Sequence, residues 1–154
     1  MSARSSSSSP QEPVPSPWPA FLTAHAVLVG KVEERLKQAG LPELSWYDVL
    51  WALERSGQGR LRMHELADAV VISRSNLTRL VDRLEAEGLV ARERCLDDRR
   101  SAFAVLTPAG RRLRRRMWPV YAAAIEELFD RHLLPAERQA LSGMLARLLA
   151  AARG

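Results

Sequence analysis

The segment from Arg62 to Leu106 constrains the fold of this chain more than any other part of the sequence. It opens with a short helical stretch, His64 to Val70, and a break at Val71-Ile72 separates this stretch from a second helix that Ser73 is expected to cap. Gly88 is expected to end that second helix. Its apolar residues recur three and four positions apart, as a buried stripe requires, and are Leu77, Leu80, Val81 and Leu84.

Two stretches of alternating side chains follow the second helix and predict a β-hairpin. Leu89 to Leu96 and Ser101 to Leu106 are rich in Val, Phe and Arg, and they flank the polar tetrapeptide Asp97-Asp98-Arg99-Arg100. Two helices joined by a tight turn and followed by a hairpin with a basic tip have the element order of a winged helix-turn-helix. We therefore predict a winged helix-turn-helix DNA-binding region over residues 44–107, in a mostly helical chain with a small β-hairpin wing.

The face of the second helix that lies opposite its apolar stripe carries side chains suited to double-stranded DNA. Arginine can donate two hydrogen bonds to a guanine edge, asparagine can pair with adenine, and serine or threonine can reach bases or phosphates. Unpaired amides and the positive end of the macrodipole also suit the helix N-terminus to a phosphate. The candidate contact residues of this helix are Ser73, Arg74, Ser75, Asn76, Thr78, Arg79 and Arg83.

The tip of the predicted hairpin supplies a second set of candidate contacts, Asp98, Arg99 and Arg100. One arginine is expected to brace an aspartate while the other reaches a minor groove or a phosphate, and the sequence leaves open which does which. A third basic run, Arg111 to Arg116, is interpreted as a solvated helix face, with some phosphate contact as the alternative.

The segments that flank the DNA-binding region predict a tail and a set of helices that need a partner. Residues 1–17 combine a serine tract with four prolines and predict a disordered tail. Residues 18–43 and 108–154 are expected to form a helical dimerisation region. Its last helix, Pro135 to Ala152, presents one wide apolar stripe made of Leu141, Met144, Leu145, Leu148 and Leu149.

Local signals also predict how individual helices start and bend. Ser45 and Asp48 fit a capping box, in which each side chain would satisfy an amide of the first helical turn. Thr107 and Pro108 are expected to begin a long helix. Pro119 predicts a kink in that helix, because proline removes a backbone donor and clashes with the preceding turn.

The composition favours a polyanionic partner and a reducing compartment. Lys and Arg number 23 against 18 Asp and Glu, and the formal net charge of +5 favours nucleic acid. One cysteine, Cys95, excludes an internal disulfide framework, and its place in a wing strand favours packing over oxidation sensing. Ser5 to Ser9 stand where a signal peptide needs an apolar run, and no stretch reaches membrane-spanning length, so we expect a cytoplasmic protein without a membrane partner.

No arrangement of residues indicates catalysis. His25, His64 and His132 are scattered and, with a single cysteine, show no metal-ligand spacing. Gly57-Gln58-Gly59 follows a helix and lacks the third glycine of a nucleotide loop. We therefore predict a protein that is not an enzyme and binds no metal or cofactor. The alternative function is a winged-helix module that binds only proteins, which would require an acidic or apolar face in place of these arginines.

Four motifs together resemble the MarR (multiple antibiotic resistance regulator) family. They are Arg62-Met-His-Glu-Leu-Ala, Ser73-Arg-Ser-Asn-Leu-Thr-Arg-Leu-Val-Asp-Arg-Leu-Glu-Ala-Glu-Gly-Leu-Val, Asp97-Asp-Arg-Arg and Leu106-Thr-Pro-Ala-Gly. The resemblance spans about residues 21–152. It implies an obligate homodimer whose first and last two helices interlock, and whose wings and second helices bind a pseudo-palindromic operator, mostly to repress transcription.

The resemblance also implies a ligand cleft between the dimerisation helices and the DNA-binding region. Small aromatic acids or other phenolic compounds release DNA from many members of the family. In this chain the candidate cleft residues lie on the segments that would line it, although core packing and capping are alternative roles for each. They are Trp18, Phe21, His25, Trp46, Asp48, Trp51 and Trp118.

Overall fold

Helices dominate the computed structural model, which describes residues 13–97 and 101–154. Within those ranges six α-helices and three short strands follow one another along the chain, with a single 3-10 turn at Asp130–His132 before the last helix. The elements are α1 (Trp18–Gln38), α2 (Leu44–Arg55), β1 (Arg60–Arg62), α3 (Met63–Ala69), α4 (Arg74–Ala86), β2 (Val90–Arg94), β3 (Ala102–Leu106), α5 (Pro108–Leu128) and α6 (Pro135–Arg153). The mostly helical fold predicted from the sequence is confirmed.

The sheet has three strands, whereas the sequence predicted a two-stranded hairpin. Strands β2 and β3 pair antiparallel, with Val90 opposite Leu106 and Arg94 opposite Ala102. Strand β1 joins the other edge of β3, so that the strand order is β1-β3-β2. The prediction missed β1 because three residues are too few to show an alternating pattern.

The caps of two helices agree with the sequence. The side chain of Ser73 accepts a hydrogen bond from the Asn76 amide at the start of α4. The hydroxyl of Thr107 accepts one from the Gly110 amide over 3.1 Å at the start of α5. Both contacts satisfy amides that the first helical turn leaves unpaired. Helix α5 then continues through Pro119 to Leu128.

The predicted capping box at Ser45 and Asp48 is wrong. Helix α2 begins at Leu44, two residues earlier than a cap at Ser45 predicts, and the Leu44 amide donates to both carboxylate oxygens of Glu33 over 3.0 and 3.2 Å. The cap therefore comes from helix α1, a tertiary contact that local sequence cannot reveal. Its consequence is that Asp48 lies inside the helix with no capping role.

A hydrophobic core holds helices α1 to α5 and the sheet together. Because α2 and α4 each turn one apolar face inward, their leucines join one core cluster that also contains Leu113 and Met117 of α5. The largest fully buried side chains are Leu36, Leu50, Leu53, Leu66, Leu77, Leu84 and Met117. Cys95 is also buried, at the end of the wing, where its amide donates to the Ser101 carbonyl.

The two ends of the chain leave apolar side chains outside this core. No residue of α6 is buried, and Leu148 is 66% exposed in the single protomer. Near the start of α1, Trp18 is 60% exposed and Phe21 is 46% exposed. Residues 13–17 are exposed and form no helix or strand, whereas residues 1–12 of the predicted tail lie outside the described part of the chain. No helix within the described ranges is long and apolar enough to cross a membrane.

Candidate nucleic-acid interface and adjoining cavity

Helix α4 separates its apolar and polar side chains cleanly. The stripe of Leu77, Leu80, Val81 and Leu84 is buried in the core. Ser73 and the polar residues on the opposite face are all exposed: Arg74, Ser75, Asn76, Thr78, Arg79 and Arg83. The seven helix residues that the sequence predicted as contacts therefore share one accessible surface, which we call the α4 face.

Three hydroxyl groups of the α4 face have partners on the same face. Thr78 Oγ1 donates to the Arg74 carbonyl over 3.1 Å. The Ser73 and Ser75 hydroxyl oxygens lie 3.5 Å apart. No ion pair involving Arg74, Arg79 or Arg83 is found among the residues that the structure describes, so their guanidinium groups are available to bind an external acceptor.

Arg92 on strand β2 joins the wing to helix α4. Its guanidinium donates to the Asp82 carboxylate over 2.6 Å, to Glu85 over 3.3 Å and to the Thr78 carbonyl over 3.4 Å. The Arg92 amide also donates to Glu85. These contacts pair one cation with two acidic side chains of α4 and tie the helix to the sheet. Sequence reasoning missed this brace, because nothing local indicates which arginine of the wing turns back toward α4.

The base of the wing carries a further basic surface. Arg60 and Arg62 lie with their guanidinium carbons 4.1 and 5.5 Å from the centre of the Phe103 ring, as cation–π contacts. Arg60 also approaches the Glu93 carboxylate, at 3.5 Å. The wing residues predicted from the sequence, Asp98, Arg99 and Arg100, lie outside the described residues.

A cavity of about 530 Å³ opens between helices α2 and α5. The lining residues of α2 include two that are four positions apart, and those of α5 are spaced by four, three and four positions. These spacings put each set on one face of its helix, and the two faces border the cavity. The lining residues are Tyr47, Asp48 and Trp51 from α2, and Arg114, Trp118, Tyr121 and Ile125 from α5. We call this space the α2–α5 cavity.

Aromatic rings form much of the wall of the α2–α5 cavity. The Tyr47 and Trp118 rings are stacked, with centroids 6.0 Å apart and an interplanar angle of 20°. Tyr121 meets both of them edge-on, at 5.1 Å and 5.9 Å. Trp51 and Trp118 remain 41% and 45% exposed, so two large aromatic surfaces are accessible beside the cavity.

The two charged side chains that line the cavity differ in their surroundings. Arg114 forms an ion pair with Glu54 and lies 5.1 Å from the centre of the Trp51 ring, while Arg111 binds the same carboxylate over 3.2 Å. For the Asp48 carboxylate, no hydrogen bond or ion pair is found within residues 13–97 and 101–154. Its burial, together with the nearby Glu33, raises its pKa to about 6.

Tyr121 responds to the same surroundings. Burial raises the pKa of its phenol, and the neighbouring Asp48 and Tyr47 add to the increase. The phenol therefore stays protonated at neutral pH and offers a hydrogen-bond donor beside the carboxylate.

The predicted cleft residues fall into three places. Asp48, Trp51 and Trp118 line the α2–α5 cavity. Trp46 lines a different groove, with Arg112 and Arg116, on another side of α5.

The remaining three, Trp18, Phe21 and His25, are exposed on α1, where the Trp18 and Phe21 rings contact each other at 6.0 Å. The prediction did not include Arg114, Tyr121 and Ile125, although their spacing around Trp118 places all four on one face of a helix. No group of three or more metal-ligating side chains placed to hold an ion occurs in the described part of the chain.

Comparison with known proteins gives consistent matches. Residues 39–101 match the model of the MarR family. The chain is 28% identical over 90 residues to the HTH-type transcriptional regulator YkoM of Bacillus subtilis. That alignment covers 58% of this chain and 58% of YkoM, so the chain spans little more than half the length of this curated relative.

Three solved structures resemble the fold over most of its length. AbsC, a MarR family transcriptional regulator from Streptomyces coelicolor, is 34% identical with a TM-score of 0.81, over 89% of this chain and 92% of AbsC. Sco3205 from the same organism, solved in complex with DNA, is 33% identical with a TM-score of 0.81, over 89% of this chain and 88% of Sco3205. BpsR of Bordetella bronchiseptica, whose DNA binding is regulated by 6-hydroxynicotinic acid, is 26% identical with a TM-score of 0.75. The match covers 85% of this chain and 96% of BpsR.

Proposed function

The chain belongs to the MarR family of DNA-binding transcriptional regulators, and we propose that it acts as a homodimer that represses transcription from a pseudo-palindromic operator. The observation that carries this proposal is the α4 face, where a buried leucine stripe holds the helix in the core and three arginines are exposed on the other side. A helix supported from behind in this way can enter a major groove without losing its packing. The complex of Sco3205 with DNA supports the same use of the fold.

Within the α4 face we assign base reading to Arg74, Asn76 and Arg79. These side chains carry the paired donors and acceptors that distinguish base edges in the major groove. Ser73, Ser75, Thr78 and Arg83 then contact the phosphate backbone, which fixes the register of the helix along the duplex. At the wing, one of Arg99 and Arg100 reaches a minor groove or a phosphate, while the other braces an aspartate such as Asp98.

We further propose that residues 18–43 and 108–154 form the dimer. The exposed leucines of α6 and the exposed aromatic residues at the start of α1 support this assignment, because apolar patches of this kind on a folded chain mark protein interfaces. A dimer would present two copies of the α4 face to two half-sites, as a two-fold symmetric operator requires.

A small aromatic or phenolic effector is the third part of the proposal. The α2–α5 cavity supports it, since aromatic walls with few polar groups are typical of small-molecule sites. Regulation of BpsR by 6-hydroxynicotinic acid supports a similar control of DNA binding. The Arg114–Glu54 pair joins helix α5 to helix α2 beside the cavity, so a ligand bound there would contact two helices that are tied together.

The function is tested by selection of DNA from a random duplex library with the full-length chain, followed by binding titrations with the selected sequence. We expect an inverted repeat with half-sites about one helical turn apart, bound far more tightly than a scrambled duplex of equal length. Enrichment of no sequence would overturn the operator proposal. It would favour the alternative that this winged helix binds only proteins.

A further inference from the structure

We propose that the α2–α5 cavity selects an aromatic ligand that carries a positive charge, rather than the aromatic acid that the family resemblance suggests. The inference rests on the proposed effector role, and it specifies the chemistry of that ligand. It follows from the charges, the aromatic surfaces and the accessibility of the lining residues.

The charges of the lining residues argue against an anion. Arg114 would be its natural partner, but its guanidinium is already paired with the Glu54 carboxylate, which it shares with Arg111 outside the cavity lining, and the centre of the Trp51 ring lies 5.1 Å from it. Asp48 lies on the same wall without a cationic partner among the described residues, and Glu33 adds a second negative charge nearby. A carboxylate ligand in the cavity would face the Asp48 carboxylate, and like charges in a partly desolvated site repel strongly.

The aromatic walls favour a cation independently of Asp48. The faces and edges of Trp51, Trp118 and Tyr121 border the cavity, and the negative face of an aromatic ring attracts an ammonium or amidinium group. Trp51 and Trp118 also offer accessible surface on which a planar ligand can stack. A site with one unpaired carboxylate among aromatic rings is therefore complementary to an aromatic amine or amidine.

The burial of Asp48 makes the carboxylate a strong recognition group. Removal from water raises its pKa toward neutrality, so a bound cation restores a favourable environment for the charged form. Its position inside helix α2, with no role in the helix cap, leaves its oxygens available for a ligand.

Three probes that share the indole ring and differ in charge test the proposal: tryptamine, indole-3-acetamide and indole-3-acetate. Isothermal titration of the full chain without DNA should show tryptamine binding at least about tenfold more tightly than indole-3-acetate. The affinity of the neutral indole-3-acetamide should lie between the affinities of the other two probes. Equal or tighter binding of the acetate, or no binding of any probe at millimolar concentration, would overturn the proposal.

Asp48→Asn provides the matched test, because it removes the charge and keeps the shape. We expect about tenfold weaker binding of tryptamine and a smaller difference between tryptamine and indole-3-acetate. Asp68→Asn, an exposed aspartate on α3, is the control and should leave all three affinities unchanged. Trp118→Leu should weaken every probe, since it removes a stacking surface while Asp48 remains.

The charge preference of the cavity and the release of DNA by a ligand can be tested separately. Titration of the operator in the presence of saturating tryptamine measures release of DNA independently of ligand binding. Charge-selective binding without release would support the ligand class and contradict the effector role. An unchanged tryptamine affinity in the folded Asp48→Asn variant would contradict the ligand class and leave release by another ligand open to test.

Discussion

The guanidinium of Arg92, on strand β2, donates a 2.6 Å hydrogen bond to the carboxylate of Asp82, on helix α4. Together with the contacts of Arg92 to Glu85 and to the Thr78 carbonyl, this bond ties the wing to the proposed recognition helix. The Arg92 side chain is 25% exposed, so the interaction is partly shielded from solvent. Arg92 therefore holds strand β2 and helix α4 together.

Arg92→Ala should weaken operator binding by about tenfold, because α4 loses its fixed direction, and lower the free energy of unfolding by about 1 kcal/mol. Fluorescence anisotropy with the operator and urea unfolding measure the two effects. Arg92→Lys should have an operator affinity and a free energy of unfolding between those of the unmodified protein and Arg92→Ala, since lysine keeps the positive charge but lacks the planar guanidinium group. Lys37→Ala, an exposed residue of α1, controls for the loss of one positive charge. If Arg92→Ala had the same operator affinity and free energy of unfolding as Lys37→Ala, the proposed role of Arg92 in orienting α4 would be contradicted.

Arg74→Ala and Arg79→Ala should each reduce operator affinity by about 1–3 kcal/mol and relax the preference at one base pair. The side chains are exposed, so folding should not change. Gel-shift titration with the operator and with single-base variants measures both effects. Unchanged affinity and preference in both variants would remove α4 from the interface.

The salt dependence of binding should distinguish phosphate contacts from base contacts. The logarithm of the binding constant should fall linearly with the logarithm of salt concentration, by about 0.9 per phosphate neutralised. Arg83→Ala, assigned to the backbone, should make this slope shallower by about 0.9, whereas Asn76→Ala should leave it unchanged. A flat plot for the unmodified protein would contradict the electrostatic contribution as a whole.

The exposed leucines of α6 should hold two protomers together. Leu148→Glu combined with Leu149→Glu should convert a dimer into a monomer in sedimentation velocity at micromolar concentration, since charges would enter an apolar interface. Gln139→Glu, on the opposite side of the same helix, should leave the dimer intact. A stable, folded monomer of the unmodified chain would refute the interface.

The pH dependence of stability should reveal Asp48. Its pKa of about 6, against an ordinary value of 3.8, means that the folded chain keeps a proton that the unfolded chain releases between these pH values. Its contribution to stability is therefore present below about pH 4 and is lost as the pH rises through 6, by about 1 kcal/mol because Asp48 is only half-buried.

The stability of Asp48→Asn relative to the unmodified protein should accordingly rise between pH 4 and pH 7 in urea unfolding. Asp68→Asn supplies the baseline for an exposed aspartate. Glu33 and Tyr121, which lie near Asp48, and Arg114, which lines the same cavity, stay unchanged in both variants. A difference that does not vary with pH would show that Asp48 titrates normally.

Sequence patterns predicted α4 well and the α2–α5 cavity poorly, for physical reasons. The start of α4 depends on Ser73 and its buried face on leucines three and four residues apart, which are all local signals. The wall of the cavity depends on how α2 lies against α5, so Trp46 and Trp51 could not be told apart by sequence alone. The start of α2 likewise depends on Glu33, a residue eleven positions away from the amide it binds.

Helix α5 spans from the wing to the proposed dimer region as one element. Its 21 residues extend about 30 Å, from the Thr107 cap beside strand β3, past Trp118 in the cavity wall, to Glu127, which pairs with Arg35 of α1. In a rigid helix of that length, a small tilt at one end displaces the other end. A tilt of about 5° at the Glu127 end moves the Thr107 end by about 2.6 Å, a displacement comparable to a hydrogen-bond length. A small tilt at the Glu127 end would thus shift the start of α5 and the wing strand beside it.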